Sequence, residues 1–304
     1  MRKGLCVLCA VVLCLSLMAC RADAAATETY LPQKMYLKDS GIYSNYSYDS
    51  GSKTLKIRHE GPTLWFPLLS AEDLNSSDFL IAMLGYVDPQ APDPGDSPFC
   101  SGSYLEPQVF AASSLITAGT VRKIVREWED PEDGIYRVQY VFSVSNGRLQ
   151  QYTITDDEGS ETVTFSYDST GNLLTWKVPS FQETGHYTKG KLDSVVIRYG
   201  STKEELFQAV RVDLIRNEKG NIIRTRESDA DFQTGNPVHD SKGVDFFINA
   251  NYSYDSSGRI VSVKPEQWAV TGIQYASNGM VAGTTQRYAA ENLDSNYVAT
   301  YQKL

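Results

Sequence analysis

The feature that most constrains this chain is a phrase that returns along it, aromatic-x-Tyr-Asp-Ser-x-Gly with an apolar run behind. One copy spans Phe165 to Gly171 and is followed by Asn172-Leu-Leu-Thr-Trp176; another spans Tyr252 to Gly258 and is followed by Arg259-Ile-Val-Ser-Val263. A third, Tyr46-Ser-Tyr-Asp-Ser-Gly51, is one residue out of step, the shift that a different hairpin loop produces. Alternation such as Tyr252-Ser-Tyr254 puts large side chains at strand spacing. Asp168 and Asp255 can accept from backbone N–H groups two residues on, and Gly171 and Gly258 can take the positive φ that closes a loop. Each copy therefore specifies one β-hairpin, with these four residues in structural turn roles.

Weaker copies continue the series at Phe142 to Gly147, Leu214 to Gly220 and Ile273 to Gly279, and His186 to Gly190 falls in phase. The turn glycines 147, 171, 190, 220, 258 and 279 lie 24, 19, 30, 38 and 21 residues apart, about the length of two strands plus two turns. The expected fold is all-β and mainly antiparallel: a meander of consecutive hairpins forming a large twisted open sheet or partly closed barrel, with one or two short helices. Further strands are expected at 136–142, 149–154, 162–165, 194–199 and 209–215. A short helix is expected at 78–84, entered through Ser76, Ser77 and Asp78, and Ser201 to Glu204 has capping-box spacing for one more turn. The proline-rich stretch 88–96 belongs on the surface. The domain reading is 30–120, an N-terminal β segment with the helix and the Pro-rich loop, and 121–304, the hairpin-repeat sheet, the two able to form one domain.

The N-terminus carries a second signal. Arg2 and Lys3 precede an apolar run from Gly4 to Ala19, which reads as a signal peptide over 1–19. Leu17-Met-Ala-Cys20 then has the form of a bacterial lipobox that would acylate Cys20, with 20–29 as a small, polar tether. The alternative is ordinary cleavage after Ala24 or Ala26. Of five cysteines only Cys100 lies beyond this region, so no intramolecular disulfide is expected and Cys100 reads as a small packed residue. Loss of Arg2 and Lys3 leaves 26 basic residues against 37 acidic, a net charge of −11. That balance argues against nucleic acid and against an anionic membrane surface as partner. Membrane contact is expected only through the lipid, in an outer-membrane or cell-surface lipoprotein, with a periplasmic or secreted protein as the alternative.

The Tyr-Asp phrase with Gly-Arg-Ile or Gly-Asn-Leu behind it resembles the YD repeat of RHS-type surface proteins, and more closely the shorter exported lipoproteins of Bacteroidetes type that carry a few such repeats and lack an assigned activity. The resemblance covers about half the chain. It implies hairpin architecture and export, and it transfers no catalytic residue because the phrase contains none.

The remaining residues offer little chemistry. His59, His186 and His239 stand alone, and the mature chain has no zinc-protease, nucleophile-elbow, phosphate-loop or Cys-x-x-Cys motif. Acidic clusters at 130–133, 156–158 and 229–231 lack ordered calcium-ligand spacing. No metal, cofactor or catalytic residue is expected. The function expected is non-enzymatic: a Tyr-rich sheet whose open face or groove binds a glycan, a peptide or an apolar ligand, with Trp176, Tyr254 and Trp268 as candidate contacts. The alternative is a hydrolase of envelope or dietary polymers using Asp168 or Asp255. Exposed edges of an unclosed meander would instead suit a scaffold that joins an envelope protein by strand addition.

Overall fold

The structure, a computed structural model, describes residues 28–38, 40–59, 65–86, 102–130, 134–200, 208–239, 248–266, 270–288 and 293–304. Cys20, the Pro-rich loop, Cys100, residues 201–204 and Trp268 lie outside them. Seventeen strands follow in chain order: β1 (Tyr30–Leu37), β2 (Tyr43–Asp49), β3 (Thr54–His59), β4 (Lys123–Asp130), β5 (Gly134–Ser145), β6 (Arg148–Thr155), β7 (Ser160–Tyr167), β8 (Leu173–Val178), β9 (Phe181–Thr188), β10 (Lys191–Tyr199), β11 (Gln208–Arg216), β12 (Ile222–Ala230), β13 (Ile248–Tyr254), β14 (Ile260–Pro265), β15 (Val270–Tyr275), β16 (Val281–Tyr288) and β17 (Leu293–Lys303). Each pairs with the next, and β17 pairs back onto β1 with Tyr30 opposite Lys303. The sheet is therefore a closed barrel, and the strands before and after residue 120 belong to one ring.

Closure explains one irregular feature. Antiparallel neighbours alternate in direction, so an odd number of strands cannot close unless one pair is parallel. The parallel pair is β3–β4, with Leu55 opposite Ile124 and Ile57 opposite Arg126. Its connection must travel from one end of the barrel to the other. Within it lie a 3-10 turn (Phe66–Leu68) and four helices, α1 (Ala71–Ser76), α2 (Asp78–Leu84), α3 (Gly102–Ala112) and α4 (Ser114–Thr117).

This connection runs through the lumen. In α2 the six consecutive residues Phe79 to Leu84 are all buried, and a helix that is apolar all round must be enclosed on every side. The ring meets the insert from many directions. Tyr252 on β13 donates to the Ala82 carbonyl at 3.2 Å, Arg216 on β11 donates to Asp78 at 2.8 Å, and Gln108 of α3 donates to Glu183 on β9 at 2.5 Å. Ser70 bridges to Met280 beside β16. The helix expected at 78–84 is α2, with Ser77 capping the Leu80 N–H at 3.2 Å. The expectation of one or two helices is corrected to four among the described residues, and the choice between open sheet and partly closed barrel resolves to a closed one.

The faces of the barrel divide by polarity. Val163, Phe165, Tyr140, Tyr152, Val195, Val212 and Val263 point inward and are buried against the insert. Outward lie pairs such as Ser166–Thr175 at 2.6 Å, Thr153–Thr162 at 3.4 Å and Arg58–Glu129 at 3.3 Å. This is the reverse of a barrel that crosses a bilayer on its strands, which turns an apolar band outward. Among the described strands no edge is left unpaired, so the strand-addition scaffold has no edge to use.

All the turn glycines named above lie at one end, the turn rim, each with positive φ between two strands. The repeat also ties hairpin to hairpin. Tyr167 donates to the Leu149 carbonyl at 2.7 Å, Tyr187 to Leu173 at 2.7 Å, Tyr254 to Ile222 at 2.9 Å, and Tyr275 to Ile260 at 2.7 Å. Each acceptor stands two residues after the turn glycine of the preceding hairpin. Arginines that follow turn glycines, Arg148 and Arg259, lie over the rings of Tyr167 and Tyr275 at 5.7 and 4.9 Å. The Asp of the phrase closes its own turn: Asp168 Oδ1 accepts from the N–H groups of Thr170, Gly171 and Asn172 at 2.8, 2.6 and 2.9 Å.

Candidate functional site

The opposite end, the loop rim, holds a cavity of about 510 Å³ bounded by β4 to β10 and by α3. Its position follows from strand parity. Inward-facing Tyr140 and Tyr152 on β5 and β6 and Trp176 and Phe181 on β8 and β9 form an aromatic wall with Val163 of β7 between them, while Glu106 and Pro107 of α3 form the inner wall. Arg126 of β4 and Glu161 of β7 stand among the lining residues, Glu161 exposed at the rim. Trp176 stacks on Phe181 at 4.9 Å, and Phe181 meets Tyr199 edge-on at 5.0 Å. The Tyr199 hydroxyl is hydrogen-bonded to that of Tyr86 at the end of the α2 segment.

Two carboxyl groups lie buried beside this wall. Glu106 accepts from Tyr140 and Tyr152, both at 3.4 Å, and burial pushes it up to about 8, against the pull of Arg126 and the hydroxyl donors. Glu183 accepts from Trp176 Nε1 at 2.6 Å and from Gln108 at 2.5 Å, both on Oε2. Burial pushes it up to about 8 as well. Its Oε1 and the Gln108 Oε1 have no hydrogen-bond partner among the described residues. Both groups are therefore mainly neutral acids at pH 7, because an ion in so dry a place is costlier than a retained proton.

Arg126 is the cation of the cavity. Its Nε donates to His59 Nε2 at 2.7 Å, and its guanidinium lies 5.0 Å from the Trp128 ring centre. It makes no ion pair with any described residue. The cavity at the turn rim, about 750 Å³ and lined partly by Ser70, Asp73 and Ser114, differs. There Asp73 is occupied as a helix cap, accepting from the Ser70 N–H and the Ser114 hydroxyl, both at 3.0 Å.

The residues singled out in the sequence separate. Trp176 lies in the wall of the loop-rim cavity. Tyr254 lies at the turn rim as one of the inter-hairpin ties. Asp168 and Asp255 sit on different hairpins, Asp255 accepting from the Ser257 and Arg259 N–H groups at 2.9 Å. His59 faces the lumen, His186 is on the outer face of β9, and His239 follows β12. Sequence spacing does not single out Glu106, Arg126, Tyr140, Tyr152 and Glu183; a Glu set among Leu105, Pro107, Val109 and Phe110 is the signal for the first.

No protein family and no curated protein matches the chain in sequence. Solved structures that resemble it include the TcdB2-TccC3-Cdc42 complex, at 12% identity over 59% of this chain with a TM-score of 0.21. A Photorhabdus luminescens Tc holotoxin pore carrying a TccC3 substitution gives 9% over 55%, with a TM-score of 0.21. The chain spans only 11% of the length of each of these toxin chains. A porin-like protein from Bacteroides uniformis gives 12% identity over 60% of this chain and 97% of its own, with a TM-score of 0.30.

Proposed function

We propose that this is an exported cell-envelope protein that binds a small ligand, without turnover, in the loop-rim cavity, and that it is held to the membrane by a lipid on Cys20. The observation that carries the reading is the cavity itself. It combines an aromatic wall with a guanidinium that has no ion-pair partner among the described residues and a neutral buried acid, the mix of apolar surface and few polar groups that small-molecule sites use. The binding role expected of an open Tyr-rich face thus moves into the barrel, and a glycan or peptide must present a part small enough to enter. The hydrolase alternative loses support because Asp168 and Asp255 spend their oxygens on their own turns.

Chain direction supports an orientation. β1 starts at the turn rim, so a lipid on Cys20 would set that rim within about 30 Å of the membrane, the reach of a nine-residue extended tether, with the cavity mouth pointing away. The test is native mass spectrometry of protein purified from its own host, compared with Val163→Trp, which blocks the wall. A small-molecule adduct in the wild type alone supports the reading; no adduct, or the same adduct in both, refutes it. The intact mass of the same sample, set against Cys20→Ala, decides lipidation.

A further inference from the structure

Resting on that reading, we infer that the cavity takes a small organic anion, an acid group on an apolar body, and that Arg126 binds the acid group. The Arg126 Nε is committed to His59, which fixes the plane of the fork, and the guanidinium stands in the cavity lining beside the Tyr140 hydroxyl that it also hydrogen-bonds. A guanidinium held in one plane suits bidentate contact with a carboxylate or another oxyanion.

The charge balance of the site points the same way. Glu106, the acid on the inner wall, keeps its proton at neutral pH because of burial, so it does not offset Arg126. It acts as a neutral hydrogen-bonding group. Glu161 is the other acid in the lining and is solvent-exposed at the rim, where water screens it. A cationic ligand would meet Arg126 unshielded, whereas an anion would supply the counter-charge. Tyr140, Tyr152, Trp176 and Phe181 then face the apolar body, a surface on which flat rings or short aliphatic chains lose water favourably.

Two fluorescent probes with the same apolar body separate the terms: anilinonaphthalene sulfonate, an anion, and phenylnaphthylamine, its uncharged counterpart. Wild-type protein is expected to bind both saturably at one site. Arg126→Gln should weaken the sulfonate by about ten- to a hundredfold, the usual worth of a charge-assisted hydrogen bond, and leave the amine within about twofold of wild type. Arg126→Lys should fall between. Glu161→Gln, an exposed substitution that leaves the fold intact, should tighten the sulfonate by about twofold and not the amine, from the loss of a screened repulsion. Equal weakening of both probes, or no change in either, overturns the anion assignment and leaves the cavity standing. Failure of the wild type to bind either probe overturns the cavity reading itself.

Discussion

Glu183→Gln tests the interior most directly. Glu183 is fully buried on β9, and its carboxyl rises from an ordinary 4.5 to about 8 because burial penalises the charge. A carboxyl whose pKa is raised on folding holds a proton that the unfolded chain releases. Its contribution is therefore intact below about pH 4.5 and is lost as pH rises towards 8, at about 1.4 kcal/mol per pH unit. Between pH 5 and pH 8 this one group should cost the wild type about 3 kcal/mol. Glutamine has the shape of the protonated acid and can accept from Trp176 and Gln108, but it has no such titration. Its amide carries no charge at any pH in this range, so whatever fixed cost it brings is the same throughout. Urea unfolding of both proteins at pH 5, 6, 7 and 8 should show Glu183→Gln gaining on the wild type by about 3 kcal/mol across the series, with unchanged m-values. A difference that stays constant with pH, or that moves against the variant as pH rises, would show that Glu183 is ionised in the folded barrel and would refute the account of a dry interior.

Two further substitutions probe the repeat. Tyr167→Phe and Tyr254→Phe each remove a hydroxyl tie to a neighbouring hairpin and should cost about 1 kcal/mol apiece, adding to about 2 in the double variant because the sites share no partner; a double variant as stable as wild type in urea unfolding would show these carbonyls equally satisfied by water. The hydrogen bonds from Thr170, with those from Asn172 and Gly171, hold the partly buried Asp168 carboxyl well below its usual range. Its stabilising effect is therefore present above about pH 3.8 and lost as pH falls below that. Asp168→Asn should lower the Tm at pH 7, by an amount that shrinks in acid, and leave probe binding unchanged; lost binding with an intact Tm would place chemistry at the turn.

The hairpins were legible because turn chemistry is local: an Asp that accepts from the next few N–H groups and a Gly at positive φ need no knowledge of the rest of the chain. Gly147, Gly171, Gly190, Gly220, Gly258 and Gly279 all proved to be turns for that reason. Closure was not legible, since the pairing of Tyr30 with Lys303 joins the two ends of the chain and no local signal states it. Of the insert, α2 announced itself by Ser77 and a continuous apolar run. Helix α3 carries Pro107 within it, and α4 is only four residues long, so neither presents a period to read. The tyrosines show the same division. Their abundance suggested a binding face, and the structure spends Tyr167, Tyr187, Tyr254 and Tyr275 on ties between hairpins. The aromatic wall draws instead on Tyr140 and Tyr152, which lie outside the phrase, and on Trp176, which follows it. What identifies that wall is its pairing with α3, a contact between parts of the chain that sequence spacing does not bring together.

Why open space remains at the loop rim as well follows from lengths. The insert is pinned at the turn rim, by the Ala71 N–H on the Gly279 carbonyl at 2.6 Å, by the Ser70–Met280 bridge and by Asp78 on Arg216. From there α2 advances by only about 10 Å for its seven residues and α3 by about 16 Å for its eleven, at helical rise. The strands around them climb at more than twice that rise per residue, and β5 has twelve residues. Short helices fixed at one end of a tall barrel do not fill it to the other end, and the loop-rim cavity lies in the space that remains, beside Glu106 in the earlier half of α3. The parallel pair that lets seventeen strands close requires a crossing segment, and its passage through the lumen brings Glu106 opposite Arg126. The same step that closes the ring thus builds the site, which is why no motif within any one hairpin encodes it.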